Sequence, residues 1–451
     1  MYKFFFHISK ILEYIFSFTI FKIPLIILWV ICLGTFCTLK FKFVNVMLFK
    51  HALHVLVSPP NDKNNSTISN IQAFITAISG TIGLGTISGV VIAISTGGPG
   101  AVLWMVIIGI LGMSVKFAEV TLGFKYHLLK GNNTIGGPFQ YIRYGLAELG
   151  LIKTGKVTSY IYAIIMIIAM LFGGISFQSN QVTVLLHNTF TKIDSSIFVF
   201  ILTLLSGLVI IGGITRIAKI TTKLSPTMVI LYIIICASVI LSNLDKLFPT
   251  FNLMLHSMTQ STSMTGGALG ALIAGVRRSI FANEAGTGTS PIIHAATNET
   301  EPVRVGCIAM LEPFIDTVLV SFITGIVVTL TGSYNTTSIV TINNIFSNIC
   351  PICEYIIFPF IVFAFGFSSI ITYCYYCEIS WKYIFGNHCH IILCRTLIMF
   401  IIIISGLSKN IIPISQLGDS LFIFLTIPNG LTIMLLSTTI NKELKTYLHK
   451  I

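Results

Sequence analysis

Residues 79–89 read Ser79-Gly80-Thr81-Ile82-Gly83-Leu84-Gly85-Thr86-Ile87-Ser88-Gly89, inside an apolar run, 68–94, long enough to cross a bilayer. Four glycines and four hydroxyl residues make a poor lipid-facing helix, because glycine loosens the backbone and exposes its polar groups. In hydrocarbon such groups must be satisfied internally, so irregular backbone persists only where protein covers it or a cavity borders it. The stretch therefore reads as a broken helix that marks a binding site. A second one follows at Asn283-Glu284-Ala285-Gly286-Thr287-Gly288-Thr289-Ser290-Pro291, and both contain Gly-x-Gly-Thr. Paired broken spans, one in each half, point to a secondary transporter built from two repeats. Small-xxx-small helix packing, which Gly85 and Gly89 fit, is the plain alternative. It leaves the clustering of glycine with threonine and serine unexplained.

Composition sets the class. Of 451 residues 54% are hydrophobic and only 9% are charged, with mean hydropathy +0.91. A soluble chain averages about 25% charged residues, so this is an all-α integral membrane protein whose partner is the lipid bilayer. In a soluble protein the net charge of +12 would suggest nucleic acid. Here its source is the cytoplasmic loops of a membrane protein, and no nucleic-acid partner is expected. The first apolar stretch, 15–39, is too long for a signal-peptide core and is read as a true span. Among ten cysteines, Cys350-x-x-Cys353 and Cys374-x-x-Cys377 have zinc-ribbon spacing, but the apolar segment between them reads as a helix. Such a helix would hold the pairs ~30 Å apart, so a shared metal is excluded and no cofactor is expected.

About eleven spans are legible: 15–39, 70–94, 100–126, 159–187, 196–214, 226–243, 268–294, 305–331, 355–381, 391–407 and 415–437. Residues 40–66 read as an amphipathic interfacial helix followed by a polar loop. Lys and Arg in the loops fall eighteen on one side against five on the other, which puts the N-terminus outside and the C-terminus in the cytoplasm. With the first span set aside, the broken spans are second and seventh, so the remaining ten divide into two inverted sets of five. The expected organisation is 1–66 for the first helix and amphipathic segment, 67–243 and 244–440 for the repeats, and 441–451 for a cytoplasmic tail. Five-plus-five inverted repeats, each opening with a broken helix, describe the leucine-transporter-type fold.

A broken helix offers two kinds of ligand. Amides at Gly83, Leu84 and Gly85 lie at a half-helix N-terminus, where the dipole favours an anionic group such as a carboxylate. Carbonyls at Ser79 and Ile82 point the other way and suit a hard cation such as Na⁺. The same logic applies across the midplane to residues 281–288.

Two long blocks carry a resemblance. Residues 81–119 read TIGLGTISGVVIAISTGGPGAVLWMVIIGILGMSVKFAE and residues 275–297 read GVRRSIFANEAGTGTSPIIHAAT. With Gly136-Gly137-Pro138-Phe139-Gln140-Tyr141-Ile142, Phe177-Gln178-Ser179-Asn180, Glu312-Pro313-Phe314-Ile315-Asp316-Thr317 and residues 363–378, they resemble the bacterial alanine or glycine:cation symporter family. The resemblance covers residues ~70 to ~390 well, and the ends by hydropathy alone. It implies Na⁺-driven uptake of a small neutral amino acid, alanine or glycine, across a bacterial inner membrane, with H⁺ coupling as the alternative. It also implies that the substrate carboxylate meets Thr81, Gly83 and Gly85, and that Gln178 contacts substrate; without it, Gln178 could equally be interhelical glue. Phe281, Gly286 and Thr287 would meet the amino group or side-chain end. Ser368 and Ser369 would complete a sodium site with the Ser79 and Ile82 carbonyls, unless they back-bond to their own helix. Two positions depart from the family: Thr86 stands where it usually has Asn, and Tyr373, counted among the substrate residues, where it commonly has Trp.

Intramembrane charges are functional hypotheses by default. Lys116 and Glu119 are spaced i, i+3 and should pair. Glu284 sits in the second break, where it would cap free amides or carry a proton; Asp316 would join the same network. Arg277 and Arg278 would form an outer gate with an acid, or snorkel to the interface. No metal-binding histidine motif, nucleophile elbow or nucleotide loop is present, so an enzyme is not indicated. His294 alone near the site reads as structural. A channel would need a filter repeated between subunits, whereas here two different half-sites share one chain.

Overall fold

The computed structural model describes residues 19–20, 23–58, 68–130, 135–259, 267–297, 299–333, 339–349, 351–386, 390–408 and 412–450. Among these, seven helices are long and apolar enough to cross a membrane: Asn70–Gly97, Gly100–Leu129, Ile152–Thr189, Gly213–Leu241, Pro302–Leu330, Cys353–Phe385 and Gln416–Leu435. Leu25–Lys40, Ser195–Ile210 and Ile391–Gly406 are shorter apolar helices. The chain is an all-α, multi-pass membrane protein.

The first break is two residues wide. Helix Asn70–Thr81 starts with a capping box, in which Ser69 Oγ accepts from the Gln72 amide and the Gln72 side chain accepts from the Ser69 amide. It stops at Ile82, and Gly83 is extended before helix Leu84–Gly97 begins. The second break is wider. Helix Gly267–Asn283 ends at Glu284, whose φ is +53°, and Gly286 and Gly288 follow at +86° and +76° before the short helix Ser290–His294. Three left-handed residues so close together cannot continue a helix; glycine at two of them removes the steric cost there.

The broken helices cross each other. Leu84–Gly97 packs along Gly267–Asn283, and Asn70–Thr81 lies beside Ser290–His294. The approach is closest at Gly97, where a Cβ would fall 2.6 Å from Ala274 Cβ and 2.7 Å from the Gly270 carbonyl. Helix Gly100–Lys130 runs against both halves of the second broken helix and carries Lys116 and Glu119 into the interior.

Several sequence expectations change. The first span does not begin at residue 15. Residues before 19 lie outside the described residues, and Thr19–Ile20 pairs with Ile23–Pro24 as a minimal antiparallel ladder. Pro24 biases its predecessor away from helix, so the helix starts at Leu25. The loop expected between 214 and 226 is instead helical. Gly213–Leu241 runs through Pro226, as membrane helices allow where neighbours re-satisfy the freed carbonyl. Residues 244–259, expected as a connection, hold helix Leu247–Thr259, whose Thr250, Met254 and Ser257 are buried while Phe248 and Phe251 are exposed.

Within 40–66, where an amphipathic interfacial helix is expected, the chain forms helix Phe49–Val57, and residues 59–67 beyond it lie outside the described set. The expected tail forms helix Ser437–Leu448, docked through a Lys125–Glu443 ion pair of 2.7 Å and a His51–Tyr447 hydrogen bond of 2.8 Å. Cys353 opens the helix that carries Cys374 and Cys377, and Cys350 lies outside the described residues.

Candidate functional site

At the first break, groups from two other helices meet the exposed backbone. Gln178, on Ile152–Thr189 just beyond a π-helical segment (Ala169–Ile175), accepts a 3.0 Å hydrogen bond from the Leu84 amide. Ser369, on Cys353–Phe385, donates a 2.8 Å bond to the Ser79 carbonyl. A Cβ on Gly83 would fall 2.4 Å from Gln178 Nε2 and 2.6 Å from Ser369 Oγ, so only glycine lets the two side chains converge there. Gly83 donates its own amide to the Thr81 carbonyl at 2.7 Å. The Gly83 and Leu84 amides are thus already occupied, against the expectation of free donors. Gln178 Oε1 holds the seat that a carboxylate oxygen would take.

The expected sodium residues divide. Ser79 and Ser369 are joined, and the Ser79 hydroxyl also lies 3.1 Å from that of Thr372. Ser368, by contrast, donates to the Phe365 carbonyl of its own helix at 3.1 Å and faces Met228. Adjacent residues on a helix point about 100° apart, so only one serine of the pair can face the break. Ile82 is fully buried at the end of its half-helix.

An aromatic wall closes the site. The Phe281 ring covers Gly85, where a Cβ would fall 2.7 Å from Phe281 Cε1, and packs against Phe177 and Phe422, both 5.1 Å away between centroids. Tyr373 packs on Gly174, one turn before Gln178, and on Phe422. Beyond Phe281, Arg278 pairs with Asp419 at 3.0 Å. Arg277 is half-buried nearby. On the opposite side, residues 68 and 297 form a parallel bridge, and Glu299 accepts from Asn70 at 2.7 Å and pairs with Arg304 at 3.0 Å. Burial alone would raise the Glu299 carboxyl above its ordinary range, with Asn70 and Arg304 opposing that shift.

The second break has different company. Asn429 donates from Nδ2 to the Gly286 carbonyl at 2.7 Å and to Glu119 Oε2 at 3.1 Å. Glu119 also takes the Gly288 amide at 3.1 Å, and Tyr162 donates its hydroxyl to the Thr287 carbonyl. Lys116 lies 3.6 Å from Glu119 and 3.4 Å from Glu312, and donates to Ser290 Oγ at 2.5 Å. His294 Nε2 meets Glu312 at 2.8 Å. Lys116, Glu119 and Glu312 are fully buried. Breaking such a buried group by removing one partner costs about 3–5 kcal/mol.

This arrangement corrects two expectations. Gly286 and Thr287 are tied to Asn429 and Tyr162, not turned towards Gln178. Nor does Glu284 cap the break: Asn283 Oδ1 accepts the Ala285 amide at 2.9 Å and Glu119 takes that of Gly288. Both Glu284 carboxylate oxygens are buried without a hydrogen-bond partner. Thr86, the departure in the first break, has its single hydroxyl proton within reach of Asp316 Oδ1 at 2.6 Å and the Thr81 carbonyl at 3.0 Å. Asp316 therefore joins the first break rather than the Lys116 group. Sequence reading missed Asn429 and Tyr162, whose distant positions carry no motif to link them, and gave Ser290, inside the second break, no role.

The sodium:alanine symporter family model matches residues 7–451. A transporter of Haemophilus influenzae described as uncharacterized is 34% identical, the match spanning 98% of this chain and 97% of that protein. A sodium/alanine symporter of Methanococcus maripaludis is 31% identical over 94% of each chain. A probable sodium/glutamine symporter of Bacillus subtilis is 30% identical over 94% of this chain and 87% of its own length. Among solved structures, a manganese transporter of Eremococcus coleocola aligns with TM-score 0.53 and 14% identity, covering 82% of this chain and 81% of that one. That likeness concerns the fold alone, the leucine-transporter type. The chain belongs to the sodium:alanine symporter family, a family of cation-coupled amino-acid symporters and not of enzymes.

Proposed function

We propose that this protein couples inward Na⁺ movement to uptake of a small neutral amino acid, alanine or glycine, by alternating access in a bacterial inner membrane. The loop charges support an N-terminus outside and a C-terminus in the cytoplasm. The crossed broken helices support two inverted five-helix repeats, 67–243 and 244–440. The observation that carries the reading is the 2.8 Å contact between Ser369 Oγ and the Ser79 carbonyl at the first break. Na⁺ enters this contact, taking the Ser79 and Ile82 carbonyls and the Ser369 hydroxyl, with Thr372 in reach. Ser368 would have to turn its hydroxyl off the Phe365 carbonyl to join.

The substrate carboxylate displaces Gln178 Oε1 from the Leu84 amide, with Gly85 in the same first turn adding its dipole. Phe281 over Gly85 and Tyr373 against Gly174 leave little room for a side chain, which favours a small one. Arg278–Asp419 closes the outer path, and Asn70–Glu299–Arg304 the inner one. The H⁺-driven reading draws on Asp316, fully buried with hydroxyl partners and no cation in ion-pair range among the described residues. Uptake of labelled amino acids into proteoliposomes under an imposed Na⁺ or pH gradient tests both. Na⁺-driven accumulation of alanine or glycine supports the first reading; accumulation under a pH gradient alone would replace it with the second.

A further inference from the structure

We infer that the Glu284 carboxylate is the counter-charge for the α-ammonium group of the transported amino acid. The inference rests on the reading that a zwitterionic amino acid is the cargo, and it assigns the positive end of that cargo.

A zwitterion entering a buried site must leave neither of its charges without a partner, since an unpaired charge in a low-dielectric interior is costly. Its negative end has a seat at the Leu84 amide, held by Gln178 Oε1. Its positive end needs acceptors. In transporters of this general design, carbonyls of unwound backbone are the usual source of oxygen. In this chain three carbonyls of the second break already have donors. The Glu284 carbonyl accepts from the Thr287 amide and hydroxyl, the Gly286 carbonyl from Asn429, and the Thr287 carbonyl from Tyr162. What the break also offers is the Glu284 side chain, fully buried beside the Tyr373 and Thr289 hydroxyls, with no hydrogen bond of ordinary length and angle to either carboxylate oxygen.

Other ionisable groups around it have their own partners. Lys116 is in ion-pair contact with Glu119 and Glu312, and Glu312 also takes His294; Asp316 is held by Thr86.

Position agrees with the assignment. Glu284 lies three residues past Phe281, whose ring covers Gly85. The hydroxyl of Tyr373 stands beside the Glu284 carboxylate, and the Tyr373 ring rests on Gly174, one turn before Gln178. Phe281 over Gly85 and Tyr373 on Gly174 thus link Glu284 to the side of the first break that holds Gln178. A carboxylate here would select against compounds that keep the acid end but lack the amine.

The test measures binding to the purified full-length protein, with labelled alanine, labelled propionate and ²²Na⁺ as the probes. Sodium-dependent alanine binding by the unaltered protein comes first; its absence would sink the symport reading itself and leave nothing for Glu284 to bind. Given that binding, Glu284→Gln should weaken alanine by about 100-fold while ²²Na⁺ binding and the chromatographic profile stay unchanged. The preference for alanine over propionate should fall towards one. Glu284→Asp, which keeps the charge on a shorter stem, should fall between the two and serves if the glutamine variant fails to fold. Wild-type alanine affinity in either variant overturns the inference. So does loss of ²²Na⁺ binding with alanine binding retained at saturating Na⁺, which would make Glu284 an ion ligand.

Discussion

The two breaks share Gly-x-Gly-Thr and differ in nearly everything else. The first is two residues wide, holds no ion pair among the described residues, and is met by a glutamine and a serine through single hydrogen bonds, with Asp316 held by Thr86 beside it. A net hydrogen bond is worth about 1 kcal/mol, so an arriving carboxylate or cation can displace these partners. The second is six residues wide and bound to buried Lys116, Glu119 and Glu312 together with Asn429 and Tyr162. Exchanging those partners would strand charge in the interior. The contrast assigns ligand exchange to the first break and anchoring to the second, where the Glu284 carboxylate is left without a hydrogen bond of its own.

Removing the anchor's cation should have the largest effect. Lys116→Met leaves Glu119 and Glu312 without their ion-pair partner and should cost about 3–5 kcal/mol, seen as loss of monodisperse protein on heating. Adding Glu312→Gln should restore part of that loss; no restoration would mean that the three groups do not act as a unit. A pair of glycine changes separates exchange from anchoring next. Gly83→Ala drives a methyl into Gln178 and Ser369 and should cut uptake per folded molecule about 100-fold. At Gly286 an added Cβ meets nothing nearer than 3.5 Å, so Gly286→Ala carries only the strain of its positive φ. Its cost should be about 1–2 kcal/mol of stability, with uptake per folded molecule retained. Equal uptake losses in both would erase the distinction.

A smaller effect is expected from Asn429→Ala, which leaves the buried Gly286 carbonyl and Glu119 short of a donor. The cost should be about 1–3 kcal/mol, read as a lower melting temperature. The smallest comparison sits within one helix. Ser369→Ala should raise the Na⁺ concentration for half-maximal uptake about tenfold, the equivalent of about 1.4 kcal/mol. Ser368→Ala should leave it within twofold, because its hydroxyl is spent on Phe365. If Ser368→Ala gave the larger shift, the serine assignment would be reversed.

Both breaks were readable because glycine and hydroxyl residues clustered in apolar spans have few uses in hydrocarbon. The Lys116–Glu119 pair was readable from helical spacing. What could not be read depended on convergence in space. Asn429, 143 residues from Gly286, becomes its hydrogen-bond partner only after the last long helix packs against the anchor. Hydropathy likewise does not say which of two adjacent serines faces the break, nor that Gly213–Leu241 stays helical through Pro226. Gly286 and Thr287 were misplaced for the same reason. Their sequence repeats that of the first break, but the side chains brought against them do not.

The most direct test of the contrast is the Na⁺ half-saturation of labelled-alanine uptake into proteoliposomes, measured side by side for Ser369→Ala and Asn429→Ala per folded transporter. The account predicts a rise of about tenfold for Ser369→Ala and no change for Asn429→Ala. An unchanged value for Ser369→Ala, or a comparable rise for Asn429→Ala, would contradict it.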